Sequence, residues 1–269
     1  MDGSIVGSTP TWTLAPSANL VTRSDKLMAR LAATPEIMRQ AWSLRYESYY
    51  CHGFLEENQE RLFPDEYDSL ETSKTIVIYK YGEPIASVRV CLHDPVAASK
   101  GIYTMPIMAT FPDVIPELIE RYSRNKLEQR AVEVLRLVSH PGVEKNVEVI
   151  FALFRMAKYL TKYFESGILF CGVRQNHAGI YRRIGFDKKA EPRHYYPKLK
   201  FQTALMMGIE CEYEIVQQKI PFLRNVFRYD ETYSNLLAGK LVPVFADVES
   251  YDSSRETINR SEILYQNAA

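Results

Sequence analysis

The chain has 269 residues, 46% of them hydrophobic, with 33 Lys and Arg balanced by 33 Asp and Glu. That composition excludes a disordered chain and can fill a sizeable core, in one large domain with extensions or two small ones. The formal net charge of zero removes any global pull toward nucleic acid or an anionic membrane, so a charged partner has to be met by a local patch.

The four cysteines, Cys51, Cys91, Cys171 and Cys211, are far apart and form no C-x-x-C pair, so neither zinc nor thioredoxin-type chemistry is indicated and no metal is expected. Cys91 and Cys171 sit in apolar strand segments and read as buried small hydrophobes. No run of about 18 apolar residues exists, so no spanning helix is expected. Met1–Ser17 is Ser/Thr/Pro-rich, without the basic start and apolar core of a signal peptide, and residues 1–24 read as a flexible arm on a cytoplasmic protein.

Thr34-Pro35-Glu36 opens a helix to about Tyr49: threonine caps, proline suits the first turn, and glutamate favours the positive end. That helix carries Arg45 beside Tyr46, Tyr49 and Tyr50. A polar excursion over 51–61 leads to Phe63-Pro64-Asp65-Glu66-Tyr67-Asp68, an acidic turn whose Asp65 and Asp68 can pair arginines near a cleft. Thr75–Lys80 and Ile85–Cys91 read as strands joined by a short hairpin at Tyr81–Pro84. Ser87, Arg89 and Cys91 share one face of the second strand, and an arginine there needs a carboxylate partner. Residues 94–130 are less regular, with a short helix over Val114–Tyr122 and a basic run of Arg121, Arg124, Lys126 and Arg130.

Ala131–Val138 reads as an apolar strand carrying two charges, Glu133 and Arg136. Three residues apart, they lie on opposite faces unless a bulge re-aims one, and two charges inside such a strand need partners or a role. His140–Asn146 is the turn before a long helix, Val147–Phe164, with an apolar stripe of Val147, Ile150, Phe151, Phe154, Ala157 and Leu160 and with Lys158 and Lys162 on its polar side. A strand follows at Ile168–Val173, then a short helix over Asn176–Gly185, a strand within Lys200–Ile209, and a helix over Cys211–Phe227 interrupted at Pro221. Residues 228–269 are polar, with Leu236-Leu237 and Leu241–Val244 able to dock on the core.

Helix, hairpin, strand, long helix, strand, short helix, strand resembles the GNAT acyltransferase fold, an α+β (α/β/α) sandwich with a mixed, mostly antiparallel sheet flanked by helices. Asn176-x-Ala178-x-x-Tyr181-x-x-x-Gly185-Phe186 is similar to that superfamily's second motif, with two gaps one residue shorter. The glycine-rich pyrophosphate loop of acetyl-CoA users is replaced by His140–Asn146. Arg45, Asp65-x-x-Asp68, Arg89 and Glu133-x-x-Arg136, in that order, resemble the acyl-homoserine-lactone synthases and more closely their relatives, the long-chain N-acyl amino acid synthases of the FeeM type. The resemblance implies an acyltransferase domain over 25–210, with 211–269 a helical or irregular extension packed on it.

It further implies transfer of a fatty acyl group from acyl carrier protein to the α-amine of an amino acid such as tyrosine. No cofactor is implied beyond the 4'-phosphopantetheine of the donor, with acyl-CoA possible in its place. Glu133 is expected as general base, directly or through a water. Arg136, Arg89 and Arg45 would tie down Asp65, Asp68 and the acceptor carboxylate. An amide near Leu137 or Val138 would hold the oxyanion. Tyr181 would protonate or hold the leaving thiolate, and Asn176 heads the motif along the pantetheine arm. Phe151, Phe154, Met156 and Phe170 are candidates for the acyl slot, and Lys145, Arg174, Arg182 and Arg183 for docking an acidic carrier protein. No acyl-enzyme is required, so the cysteines are expected to be dispensable. Competing readings are a lactone synthase using S-adenosylmethionine, a CoA-dependent N-acetyltransferase, and an inactive GNAT-like scaffold.

Overall fold

The computed structural model describes residues 26–123, 130–195 and 199–245. The expected N-terminal arm, Arg124 and Lys126, and the end of the polar C-terminal stretch lie outside them.

Thr34 caps the first helix as its sequence requires: its Oγ1 accepts from the Ile37 amide at 3.4 Å, and α1 runs Pro35–Cys51. Eight strands among the described residues form one sheet: β1 Met28–Leu31, β2 Ser73–Lys80, β3 Glu83–Leu92, β4 Ala131–Ser139, β5 Ile168–Val173, β6 Asp187–His194, β7 Gln202–Ile209 and β8 Val242–Pro243. Their order is β6-β7-β5-β4-β3-β2-β1-β8, and β4 with β5 is a parallel pair in an otherwise antiparallel sheet. The β2–β3 hairpin closes on Tyr81 and Gly82, both with positive φ, the two-residue turn whose twist matches the strands.

The irregular stretch after β3 holds three short helices, α2 Pro95–Ser99, α3 Pro106–Thr110 and α4 Ile115–Tyr122. The long helix α5 occupies Val147–Phe164, capped by Asn146 and ended by Glu165 at φ 53°. It packs across one face of the sheet, where Met156 and Leu160 meet Val88, Val90, Val132 and Val134. The other face buries Leu135, Phe170 and Leu205 against Met105, Ile107 and Phe111. Glu133 and Arg89 point into that second layer.

α6 Ala178–Arg183, α7 Glu210–Gln217 and α8 Glu231–Leu237 complete the helices. The helix expected over Cys211–Phe227 stops at Gln217, and turns carry the chain past Pro221. Lys158 is buried rather than on a polar face, because α7 and the turn after it cover that side: its Nζ bonds Glu214 at 3.1 Å and the Leu223 carbonyl at 3.0 Å. Arg155, fully buried one turn earlier, grips the carbonyls of Val244, Phe222 and Arg224 at 2.8–3.2 Å. The polar side of α5 is thus the anchor for residues 210–245, and β8 pairs with β1 to close the far edge.

Candidate active site

β4 carries the bulge that its two charges require. Arg89 sits opposite Leu135 and Ser87 opposite Val138, so Arg136 and Leu137 together face the one residue Val88. Arg136 takes φ 54°, a left-handed conformation that a non-glycine residue adopts at a cost of about 1–3 kcal/mol. The extra residue turns Arg136 onto the face that holds Glu133.

On that face five charged side chains interlock. Arg45 donates to both oxygens of Asp68 at 2.8 Å. Arg89 reaches both oxygens of Asp65 at 2.6 and 2.9 Å and Asp68 Oδ1 at 2.8 Å. Arg136 Nη2 donates to Asp65 Oδ2 at 2.8 Å. Trp42 Nε1 also donates to Asp68 Oδ2 at 2.9 Å, and the Asp65 amide donates to the same oxygen across the 3-10 turn Glu66–Ser69. Burial pushes Asp65 upward, but the hydrogen bond and charge of Arg89, with Arg136 and Arg45 behind, hold its carboxyl well below the usual range. Three guanidiniums and two carboxylates thus form one buried ionic network beside Glu133.

Glu133 is 0% exposed. Its Oε2 accepts from the Ile107 amide at 2.8 Å and its Oε1 from the Tyr195 hydroxyl at 2.7 Å. Burial raises its pKa to about 7, against the pull of those two donors and of Arg89 and Arg136. Among the described residues Glu133 is sealed from solvent, so of the two expected routes, direct or through a water, neither reaches it without passing its two hydrogen-bond partners. Tyr195 stands over it and stacks on Phe201, and half-buried Tyr49, Phe54 and Phe201 continue the aromatic wall outward. Sequence reading missed Tyr195, which follows a strand with no apolar period. The available signal was Gly172: a Cβ there would meet the Tyr195 ring at 3.3 Å, so a glycine inside β5 marks a close approach.

Immediately past Glu133 the sheet parts. β4 and β5 pair only through Ala131–Ile168, Val132–Leu169 and Glu133–Phe170, whereas β5 stays paired with β7 to Val173. The His140 amide bonds the Ile85 carbonyl, so ladder alternation aims the Val138 amide at β3 as well. The Val138 amide is thereby directed to β3 rather than to the gap, which leaves the bulge beside it, Arg136–Leu137, next to the opening.

On the α5 face a narrow cleft of about 30 Å³, room for about one water, lies among Val134, Phe154, Lys158, Cys171, Tyr181 and Leu223. Tyr181 meets Phe154 edge-on at 5.5 Å. Of the four acyl-slot candidates only Phe154 lines this cleft. Phe151 is stacked on Phe222 at 3.8 Å, Met156 is core, and Phe170 belongs to the opposite layer. Asn176 is exposed and lines no part of the cleft. Lys145, Arg182 and Arg183 are exposed, but Arg174 is half-buried with its guanidinium 4.8 Å from the Phe54 ring, so it does not belong to an outer docking face. Among the described residues Cys51, His52 and Glu144 bring potential metal ligands within 4.8 Å of one another, at the surface.

A mixed sheet that splits beside a buried carboxylate, crossed on one face by a long helix, defines a GNAT-like N-acyltransferase. The family model for the N-acyl amino acid synthase FeeM matches residues 40–209, and the chain belongs to that family. The structure of FeeM from uncultured soil microbes is 11% identical, with a TM-score of 0.57 over 71% of this chain and 95% of that one. The acyl-homoserine-lactone synthase LasI is 14% identical, with a TM-score of 0.47 over 72% of this chain and 95% of that one. An acyl-CoA N-acyltransferase from Pseudomonas aeruginosa is 15% identical, with a TM-score of 0.44 over 69% of this chain and 99% of that one. No curated protein sequence matches the chain. No helix among the described residues is long and apolar enough to cross a membrane.

Proposed function

We propose that this acyltransferase moves a long-chain fatty acyl group from the thioester of acyl carrier protein to the α-amine of an amino acid, tyrosine or one like it, by direct attack. The observation that carries the reading is Glu133, a carboxyl titrating near neutrality at the point where β4 and β5 separate. Because it is sealed, it acts through the Tyr195 hydroxyl that it holds. The amine gives a proton to the Tyr195 oxygen as Tyr195 gives its own to Glu133, so the base is strengthened without a free tyrosinate. The neutral amine so formed bonds the thioester carbon, the Leu137 amide holds the oxyanion, and as the C–S bond breaks the nitrogen gives its surplus proton to solvent, which also restores the proton that Tyr181 hands on. Tyr181, on the α5 side, is a neutral phenol whose burial keeps its proton on, and it protonates the departing sulfur.

The arginine–aspartate network fixes α1, β3 and the β4 bulge around Glu133; its arginines are committed to aspartates rather than to the acceptor. A carrier-borne donor is favoured by the start of α5, where the Gly142 amide is taken by His140 and the Glu148 amide by Asn146, leaving fewer donors for a pyrophosphate. Exposed Lys145, Arg182 and Arg183 would meet the acidic carrier. The acyl chain would enter by widening the Phe154–Tyr181 cleft.

Mass spectrometry of lipid extracts tests this. Cells expressing the chain should accumulate an N-acyl amino acid that disappears with Glu133→Gln. An acyl-homoserine lactone, an N-acetylated amine or no new product would overturn it.

A further inference from the structure

Arg45, Arg89, Arg136 and Arg174 stand on the Glu133 side of the sheet. Arg45, Arg89 and Arg136 are spent on Asp65 and Asp68. The fourth is Arg174, the first residue past β5. Alternation along the strand puts Phe170, Gly172 and Arg174 on one face, two residues apart. Phe170 is paired with Glu133, and Gly172 accommodates the Tyr195 ring. Arg174 therefore stands on the Tyr195 side, four residues along β5 from the Glu133–Phe170 pair.

Among the described residues its surroundings lack an anion. The guanidinium lies 4.8 Å from the Phe54 ring and has His177 Nε2 at 3.4 Å, while among the described residues no carboxylate pairs with it. Burial lowers its pKa, with Tyr49 opposing. Phe54 packs on Phe201, and Phe201 on Tyr195, so one aromatic wall runs from this cation to the hydroxyl on Glu133. A half-buried planar fork without a counter-ion matches a carboxylate, which it binds through two parallel hydrogen bonds.

We propose that Arg174 binds the α-carboxylate of the acceptor and so makes the enzyme select amino acids over simple amines. This rests on the acceptor being an amino acid. The guanidinium lies over the Phe54 ring, and Tyr49 and Phe201 would flank the acceptor side chain.

The test uses the full-length protein, a long-chain acyl carrier protein thioester, and two acceptors: the amino acid that the native enzyme acylates and the amine obtained by decarboxylating it. Arg174→Gln should raise KM for the amino acid roughly 10–100-fold, the loss of a charged hydrogen-bonded pair. It should leave KM for the amine and for the carrier thioester unchanged, and Arg174→Lys should recover part of the loss. Equal loss with both acceptors, no loss with either, or a rise confined to the carrier thioester would overturn the role of Arg174 while leaving the acyltransferase intact. A native protein that acylates only amines without a carboxylate overturns the amino acid reading itself. Matching thermal unfolding of native and variant protein confirms that the fold is unchanged in the comparison.

Discussion

Replacing Glu133 by Gln separates chemistry from architecture. The amide can still accept from the Ile107 amide and donate to the Tyr195 oxygen, so both contacts keep a partner. What it loses is the proton-accepting charge. General-base catalysis contributes about 10²–10⁴-fold, so turnover should fall by that factor. Since the Glu133 pKa is pushed up to about 7, the native enzyme should lose roughly tenfold in rate for each pH unit below that value. The variant should lose the break near pH 7 and follow only the ionisation of the amine. Stability gives an independent reading of the same group. Its ordinary pKa is 4.5, so between 4.5 and about 7 the folded state holds a proton that the unfolded chain has released, and native stability must fall as pH rises through that window. A difference of 2.5 pH units at about 1.4 kcal/mol each bounds the loss at about 3.5 kcal/mol, complete above pH 7 and absent below 4.5. The assay is thiol release from an acyl carrier thioester in the presence of tyrosine, followed from about pH 5.5 to 9, with denaturant unfolding of both proteins at the two ends. A variant that keeps the native rate, or keeps the native acidic limb, would refute Glu133 as the base.

Asp65→Asn removes the shared counter-ion of Arg89 and Arg136 and should cost about 3–5 kcal/mol in denaturant unfolding. Because the Asp65 carboxyl is held far down, its contribution to native stability should be complete above about pH 4 and fade only as acid is added below it. Gly185→Ala should destabilise by about 2 kcal/mol or more, read as a lower Tm: φ is +93°, and the new Cβ would lie 2.9 Å from the Tyr213 backbone, prising α7 off the core. Cys171→Ala and Cys91→Ala should each retain acyl transfer, since burial pushes both thiols up and no acyl-enzyme is involved; loss of turnover with an intact fold would argue for a covalent step. Charge reversal at Lys145, Arg182 and Arg183 together should raise KM for the carrier thioester and leave KM for the amino acid unchanged.

Much of this molecule is legible in local chemistry. α5 spans the range its cap and apolar content require, and the β2–β3 hairpin forms about its two-residue turn. The charged residues inside strands found the aspartates that their burial demands, and the bulge at Arg136 is the device by which two charges three residues apart reach one face. What stayed hidden depends on long-range cover. β6 is an edge strand, Asp187-Lys-Lys-Ala-Glu-Pro-Arg-His, held by pairing to β7 rather than by burial, so it has no apolar period to read. Lys158 and Arg155 look solvated along the helix, yet they are buried because residues more than fifty positions away fold over them. Phe151, Phe154 and Phe170 are alike in sequence; only the packing assigns one to the cleft, one to a stack with Phe222 and one to the opposite layer.

A crystal structure with a bound N-acyl amino acid product probes the mechanism most directly, because the two halves of the product should fall on opposite sides of the split sheet. The amide carbonyl should accept from Leu137, the amide nitrogen should lie against the Tyr195 hydroxyl, and the tail should run into a widened cleft at Phe154 and Tyr181. A product bound anywhere else, with β4 and β5 empty between them and Glu133 still sealed, would contradict it.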